Sequence, residues 1–454
     1  MLFRDNFNRM RKKIENVLFS YTDGVGLELF RRLFALILFY QSYSFYSVKY
    51  LEAGILAPSY LFCFQPFTFL NNTPEGLIRV FFAFMVFAPI GMLFRKTFRI
   101  STLIYLFVFS FFVLLEQSYF NNHFYLILLL CGIWLFYKPV GSGLNLKVAG
   151  WMPVLFQFMI VLVYFYGGLA KLNADWLFRQ EPVRTLLAIN AKNMLIKGAH
   201  QNELIIAYYT YGGAIFDLVI GFLLLYRRTL WLGVVLNILF HLNNTFVFNM
   251  GEGGDIGIFP MFMIASNILF IPPAILKNWL GKLGIGAKPL PPGKKVLELP
   301  AIPQWRIQIA LIVFLTFQVL LPFRYLLIGK DVDWTGQAQF FSWRMKMHAK
   351  NVDATFFYKA TESDSLRPYP LGRIINTMQI SYMGQHANMV WQFVQFMKKD
   401  LRKKEGLTDP IIEARIRVAF NGRDFQNFVK PGTNMAKAEF SVWKRPDWIE
   451  PLNQ

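Results

Sequence analysis

Apolar runs of membrane-crossing length recur along the first three quarters of the chain, near 27–46, 77–94, 101–116, 124–137, 153–170, 204–226, 229–248, 255–272 and 305–327. A helix needs roughly 17–25 apolar residues to cross the hydrocarbon core, so the pattern predicts about nine spans. The 101–116 and 124–137 runs are short, and the latter is also compatible with a partly re-entrant helix. After about residue 328 the chain turns polar and the period changes. Segments 354–359, 413–420 and 438–444 alternate as half-buried strands do, and Asn421-Gly422 is turn chemistry. Segment 385–404 has helical period, with Met389, Phe393 and Phe396 on one side and a basic end. The expectation is a polytopic α-helical membrane protein. Its helical region covers 1–328, and a small C-terminal α+β domain at 329–454 lies on the outer face. A Pro/Gly/Lys-rich stretch, 272–304, reads as a linker inside the membrane half.

Composition supports this class: among 454 residues, 55% are hydrophobic and 16% charged, too apolar for an ordinary soluble protein. No cleavable signal peptide is visible at the N-terminus. The net charge of +20 invites a nucleic-acid reading, which its distribution opposes. Arg4, Arg9, Arg11, Lys12 and Lys13 precede the first run. Arg95, Lys96 and Arg99 follow the second, and Arg227 and Arg228 the sixth. Lys277, Lys282, Lys288, Lys294 and Lys295 precede the last. The intervening loops are poor in basic residues; 117–123 has none, and 249–254 carries only Glu252. That alternation predicts a cytoplasmic N-terminus and a C-terminal domain on the outer side, lumenal or periplasmic. One outer loop, 171–203, breaks the rule with Lys171, Arg179, Arg184, Lys192 and Lys197. Either these bind an anion or the other loops outvote them.

Neither Cys63 nor Cys131 has a metal-ligand neighbour, and their depths do not favour a disulfide. No phosphate loop, dinucleotide fingerprint or nucleophile elbow appears, so no flavin, nicotinamide or metal is expected. What remains is polar residues at the outer ends of the runs. Glu116-Gln117 and Asn121-Asn122-His123 precede the fourth run; Lys171, Asn173, Asp175 and Trp176 follow the fifth. His241, Asn243, Asn244 and Thr245 end the seventh, with Glu252 and Asp255 beyond. The predicted topology puts all three groups on one side, and polar groups at such depth mark a functional cavity by default. Each also has a bland reading: an interfacial hydrogen bond for His123, snorkelling for Lys171, helix glue for His241, an aromatic belt for Trp176 and close helix packing for Gly167 and Gly168.

Four separated stretches together resemble the vitamin K-dependent γ-glutamyl carboxylase family. Asn121-Asn122-His123-Phe-Tyr125-Leu126 is similar to the family's Asn-Asn-His-x-Tyr-Leu. Tyr164-Phe165 with Lys171-Leu172-Asn173-Ala174-Asp175-Trp176 matches its Tyr-Phe … Lys-Leu-Asp-Ala-Asp-Trp, with Asn173 in place of the first Asp. Phe240-His241-Leu-Asn243 resembles its Phe-His-x-x-Asn region, and Phe341-Ser342-Trp343-Arg344-Met345-Lys-Met347-His348 its Ser-Trp-x-Met-x-x-His segment. Weaker echoes occur at His386-Ala387-Asn388-Met389 and Asn421-Gly422-Arg423.

The resemblance implies that Lys171 deprotonates vitamin K hydroquinone, a co-substrate. Addition of O2 then yields a strong base that removes a glutamate γ-proton, CO2 is captured, and the 2,3-epoxide leaves. His123 would be the second catalytic residue. Asn122, Gly167, Gly168, Trp176 and His241 would hold the quinone, and Trp343, Arg344 and His348 the substrate. Implied partners are membrane lipid, a glutamate-containing protein or peptide and a quinone reductase that regenerates the hydroquinone, with no nucleic acid. Animal members of the family continue well beyond residue 454, and that extra region helps hold substrate propeptides. The expectation is a shorter, bacterial homologue in the inner membrane (the endoplasmic reticulum if eukaryotic), which carboxylates or only epoxidises. A transporter or lipid-binding protein on the same scaffold is the rival reading.

Overall fold

The computed structural model describes residues 2–191, 196–248, 257–284, 304–329 and 331–453. Lys192, Glu252, Asp255 and the part of the linker with Lys288, Lys294 and Lys295 lie outside the described residues. A helix occupies each of the nine apolar runs. Six are long and apolar enough to cross a membrane: Glu75–Met92, Phe98–Leu115, Trp151–Ala170, Glu203–Leu225, Leu230–Val247 and Gln304–Ile328. A seventh counts if Phe259–Leu269 and Pro273–Lys282, which meet at 102°, form one span. Pro272 and Pro273 at that break remove backbone donors and prevent a continuous helix. The Asn122–Trp134 helix has 13 residues, about 20 Å at 1.5 Å per residue and short of the roughly 30 Å core.

Val25–Ser47 falls outside the six because it carries Glu28, Arg31 and Arg32 at one end and Gln41, Ser42, Ser44 and Ser47 at the other. Its middle is nonetheless the heart of the bundle, with Phe30, Phe34, Ala35 and Leu38 fully buried. The Arg31 guanidinium is also buried, which is tolerable only with complete pairing. It pairs with Glu28 and donates to the carbonyls of Met92 and Leu93. Tyr137 donates a further hydrogen bond of 2.8 Å to Glu28.

Trp151–Ala170 and Glu203–Leu225 approach each other through glycines. A Cβ at Gly168 would lie 2.8 Å from the Leu218 backbone nitrogen, and one at Gly221 would lie 2.7 Å from Val161 Cγ1. Small residues let helix backbones come this close. Replacing Gly168 with valine is therefore expected to wedge the two helices apart and cost about 1–3 kcal/mol. Thermal unfolding in detergent checks this, and an unchanged melting temperature would contradict the packing described. The Gln304–Ile328 helix is peripheral, with Ile309, Ile312, Val313, Phe317 and Leu320 exposed, an apolar surface suited to lipid. Tyr125 bonds to Gln318 (3.0 Å) and Tyr166 to the Val319 carbonyl (2.6 Å), tying it to the bundle.

Tyr21–Asp23 (β1) pairs antiparallel with Lys147–Ala149 (β2), and the C-terminal region carries a second antiparallel sheet of order β4-β3-β5-β6, built from Lys350–Lys359 (β3), Arg367–Pro368 (β4), Ile411–Phe420 (β5) and Gln426–Asn427 (β6). Along β5, Ile412, Ala414, Ile416, Val418 and Phe420 alternate inward to share a core with Met389, Phe393 and Met397 of the Ala387–Glu405 helix. Asn421 and Gly422 follow with φ of 49° and 70°, the left-handed pair of a tight turn. The strand expected at 438–444 does not form, and that reading is corrected. The carbonyls of Ala438, Glu439 and Ser441 accept from Trp391, Trp448 and Gln337 side chains, leaving no ladder to a neighbouring strand.

This region docks on the helices through groups the sequence placed at their ends. The buried Glu116 carboxylate accepts from Gln379 Nε2 at 2.7 Å and from the Phe62 amide at 3.0 Å, and Gln117 accepts from Asn388 at 2.6 Å. Phe62 itself belongs to the core beneath the sheet. Cys63 and Cys131 are both buried and free.

Candidate active site at the end of the Lys171 helix

Lys171 caps the Trp151–Ala170 helix. Its ammonium pairs with the carboxylate of Asp217 on the Glu203–Leu225 helix, with the two side chains 12% and 11% exposed. The ammonium also lies 5.2 Å from the centroid of the Trp176 ring, where the π face adds attraction. Asp217 was missed in the sequence, although a lone carboxylate among apolar residues at 213–225 is itself the signal of a functional group.

The Trp176 ring is fixed by its Nε1–H, which donates to the Thr210 carbonyl at 2.9 Å. Asn173 caps the short turn Ala174–Leu177, its Oδ1 accepting from the Trp176 amide at 3.0 Å. A cap needs only a short side chain with an acceptor oxygen, so Asn serves as well as the Asp it replaces. Asp175 reaches the C-terminal domain. Arg423 grips it with both terminal nitrogens (2.9 and 2.7 Å) and Asn421 adds a third bond of 2.9 Å. Burial alone would raise the Asp175 carboxyl, but the hydrogen bonds from Arg423 and Asn421 hold it below the ordinary carboxylate range.

Tyr164, Gly167 and Lys171 stand at i, i+3 and i+7 and form one stripe of their helix. A Cβ on Gly167 would sit 3.4 Å from Asp217 Oδ2 and 3.9 Å from Met345 Cε, so its bare face opens onto the carboxylate and the 337–349 segment. Gly168 faces the neighbouring helix, as described above.

One turn deeper, the Tyr164 hydroxyl bonds to His241 Nε2 at 2.7 Å and accepts from Asn237 Nδ2 at 2.6 Å, and Asn267 donates to Asn237 at 3.4 Å. A hydroxyl that accepts from Asn237 has its own proton free for His241 Nε2. When that proton is donated there, the imidazole N–H lies on Nδ1, which has no hydrogen-bond partner among the described residues. His123 Nε2 is likewise buried and without a partner among them. Both imidazoles flank the Phe259 ring, with centroids 6.0 Å (His123) and 5.8 Å (His241) away. Buried polar atoms are rarely left unsatisfied, so two on imidazoles packed near one phenyl ring suit the oxygens of a bound molecule.

Asn122 has a different occupation. Its Oδ1 accepts from the Ser342 amide (3.2 Å) and its Nδ2 donates to the Arg344 carbonyl (3.3 Å), pinning the 337–349 segment to the helices. Phe341, Trp343 and Lys346 in that segment have φ of 57°, 60° and 52°, an uncommon left-handed backbone for such residues. Trp343 is buried and stacks on Tyr125 at 5.0 Å. Arg344 is ion-paired with Asp333 (2.5 Å) and lies over the Tyr325 ring, so its charge is already balanced. His348 stacks on Phe420, and burial with the nearby Lys350 charge pushes its imidazole well below the ordinary histidine range. Lys171, Trp176 and Gly167 thus gather at the helix end with His123 and His241 beneath, while Trp343, Arg344 and His348 belong to a segment that reaches them through Met345.

The basic loop 171–203 is largely neutralised within the chain: Lys171 by Asp217, Arg179 by Asp175 at 3.8 Å and Arg184 by Glu203 at 2.7 Å. Lys197 remains exposed.

Residues 19–275 match the HTTM domain family, and residues 304–454 match the lumenal domain of vitamin K-dependent gamma-carboxylase. The first match holds Asn122, His123, Lys171, Asp217 and His241; the second holds Trp343, Arg344, His348 and Arg423. No solved structure gives a significant match. With both halves of the chain matched in order, this protein belongs to the vitamin K-dependent gamma-carboxylase family.

Proposed function

We propose that this chain is a membrane-embedded carboxylase-like enzyme in which Lys171 takes a phenolic proton from vitamin K hydroquinone. The single observation that carries this is the Lys171–Asp217 pair at the open face of Gly167, with nitrogens of His123 and His241 below it that have no partner among the described residues. The hydroquinone, as co-substrate with O2, supplies a base strong enough to remove a glutamate γ-proton, which no side chain does at neutral pH. The chain's own residues bind and orient. The Nδ1–H of His241 is a donor suited to a developing oxyanion. His123, fixed in an apolar wall, holds a second polar atom. Trp176 lies against the Lys171 amine, and Met345 lies against the bare face of Gly167.

In this reading a prenylated quinone enters from lipid, and all nine apolar helices belong to the membrane-bound region 1–328, with a cytoplasmic N-terminus. The region 329–454 then covers the site from the outer side and receives a glutamate-containing chain, and CO2 is the second gas consumed. A separate quinone reductase restores the hydroquinone. The test is incorporation of labelled CO2 into a glutamate peptide by the purified protein in lipid nanodiscs with vitamin K hydroquinone and O2. Oxygen-dependent label in the peptide is the expected result. Epoxide without label would make the protein a quinone epoxidase, and neither product would favour a transporter or lipid-binding role.

A further inference from the structure

An ammonium ion has no lone pair, so the Lys171–Asp217 ion pair raises a question of proton order. Lys171 must lose a proton before it accepts one. Water is a poor first acceptor here, because the Lys171 side chain is mostly buried against Trp176 and Asp217. Loss to water would also leave the site one charge more negative, because the Asp217 carboxylate and the forming phenolate would share the single Lys171 cation, and an uncompensated anion in apolar surroundings is strongly disfavoured.

We infer that Asp217 is the positioning residue that holds the proton of Lys171 while the amine acts, an inference that rests on the reading of Lys171 as the base. In the first step the Nζ–H bond breaks and an O–H bond forms on Oδ2, giving a neutral amine beside a neutral carboxylic acid. No charge enters or leaves the site. In the second, the amine takes the hydroquinone hydroxyl proton, so an ammonium stands next to the new phenolate and Asp217 stays neutral. The pair has gained one proton and the hydroquinone has lost one, and the two new charges cancel. The surroundings favour the exchange, since burial narrows the gap between an ion pair and its neutral form. The bare face of Gly167 leaves the Asp217 oxygen uncrowded, 3.4 Å from where a Cβ would stand.

A carboxylate that served only to neutralise Lys171 makes the opposite prediction. Replacing it with an amide would then free the amine and leave turnover equal or faster. If Asp217 holds the proton, the Asp217→Asn variant keeps shape and hydrogen bonding but loses the acceptor. Its kcat for epoxide formation is expected to fall by about 100-fold, in the range of general acid–base effects, with KM for the hydroquinone unchanged. The Asp217→Glu variant should recover much of the loss. The contrast of Asp217→Glu with Asp217→Gln repeats the test in side chains of equal length, should the Asn variant fold poorly. An active wild type whose amide variants turn over at the wild-type rate overturns this inference alone. A wild type that forms no epoxide overturns both the inference and the reading it rests on.

Discussion

Lys171→Ala is expected to abolish epoxide formation from vitamin K hydroquinone, lowering the rate by at least about 10³-fold, the upper range for loss of a positioned base. Its described neighbours in the loop do not substitute, since Arg179 and Arg184 are guanidinium groups already paired with Asp175 and Glu203. The same substitution leaves Asp217 buried without its cation, and removing one partner of such a pair typically costs about 3–5 kcal/mol. Loss of activity could then be mistaken for loss of fold. The double variant Lys171→Ala/Asp217→Ala separates them, because it removes the orphaned charge as well. It should melt closer to the wild type and remain inactive. Double-variant activity near wild type would remove Lys171 from the chemistry.

The second large effect is expected at Arg423. Its two bonds to Asp175, with side chains 15% and 17% exposed, join the C-terminal domain to the turn immediately after Lys171. Arg423→Ala should cost about 2–3 kcal/mol, the scale of hydrogen bonds to a charged group left partly unsatisfied. It should also lower turnover by letting the 173–176 turn shift. The pH dependence follows from the depressed Asp175 carboxyl. Its stabilisation is complete above the ordinary aspartate value of about 4 and disappears as pH falls through the lower folded value. Melting curves from about pH 3 to pH 7 should therefore show a wild-type advantage over Arg423→Ala that shrinks on the acid side. An advantage independent of pH would mean that the Arg423–Asp175 bond does not hold the domains together.

Much of the fold was legible because each of the nine apolar runs carries a helix. The period-two pattern likewise predicted β3 and β5. The 438–444 segment misled because alternation reports burial, whereas a strand needs a partner, and here tryptophan and glutamine side chains take the carbonyls. At the site, Lys171, His123 and His241 stood out as polar residues at the ends of apolar runs. Asp217 did not, because it lies inside a run otherwise read only for length. Asn237 and Asn267 were hidden, and Tyr164 stood only as part of a motif, for a related reason: single polar residues on different helices become a network only once the helices are packed. Asn122 and Arg344, by contrast, are held by Ser342 and Asp333 in contacts no spacing reveals.

Under the proposed function this chain deprotonates vitamin K hydroquinone, and oxygenation of the resulting anion leads to the epoxide. The most direct test is a single assay of the purified protein in nanodiscs, reading epoxide formed from the hydroquinone with and without O2, with the Lys171→Ala/Asp217→Ala variant as blank. Oxygen-dependent epoxide is expected from the wild type and none from the folded variant. Equal background from both, across phylloquinone- and menaquinone-type hydroquinones, would contradict the proposed function.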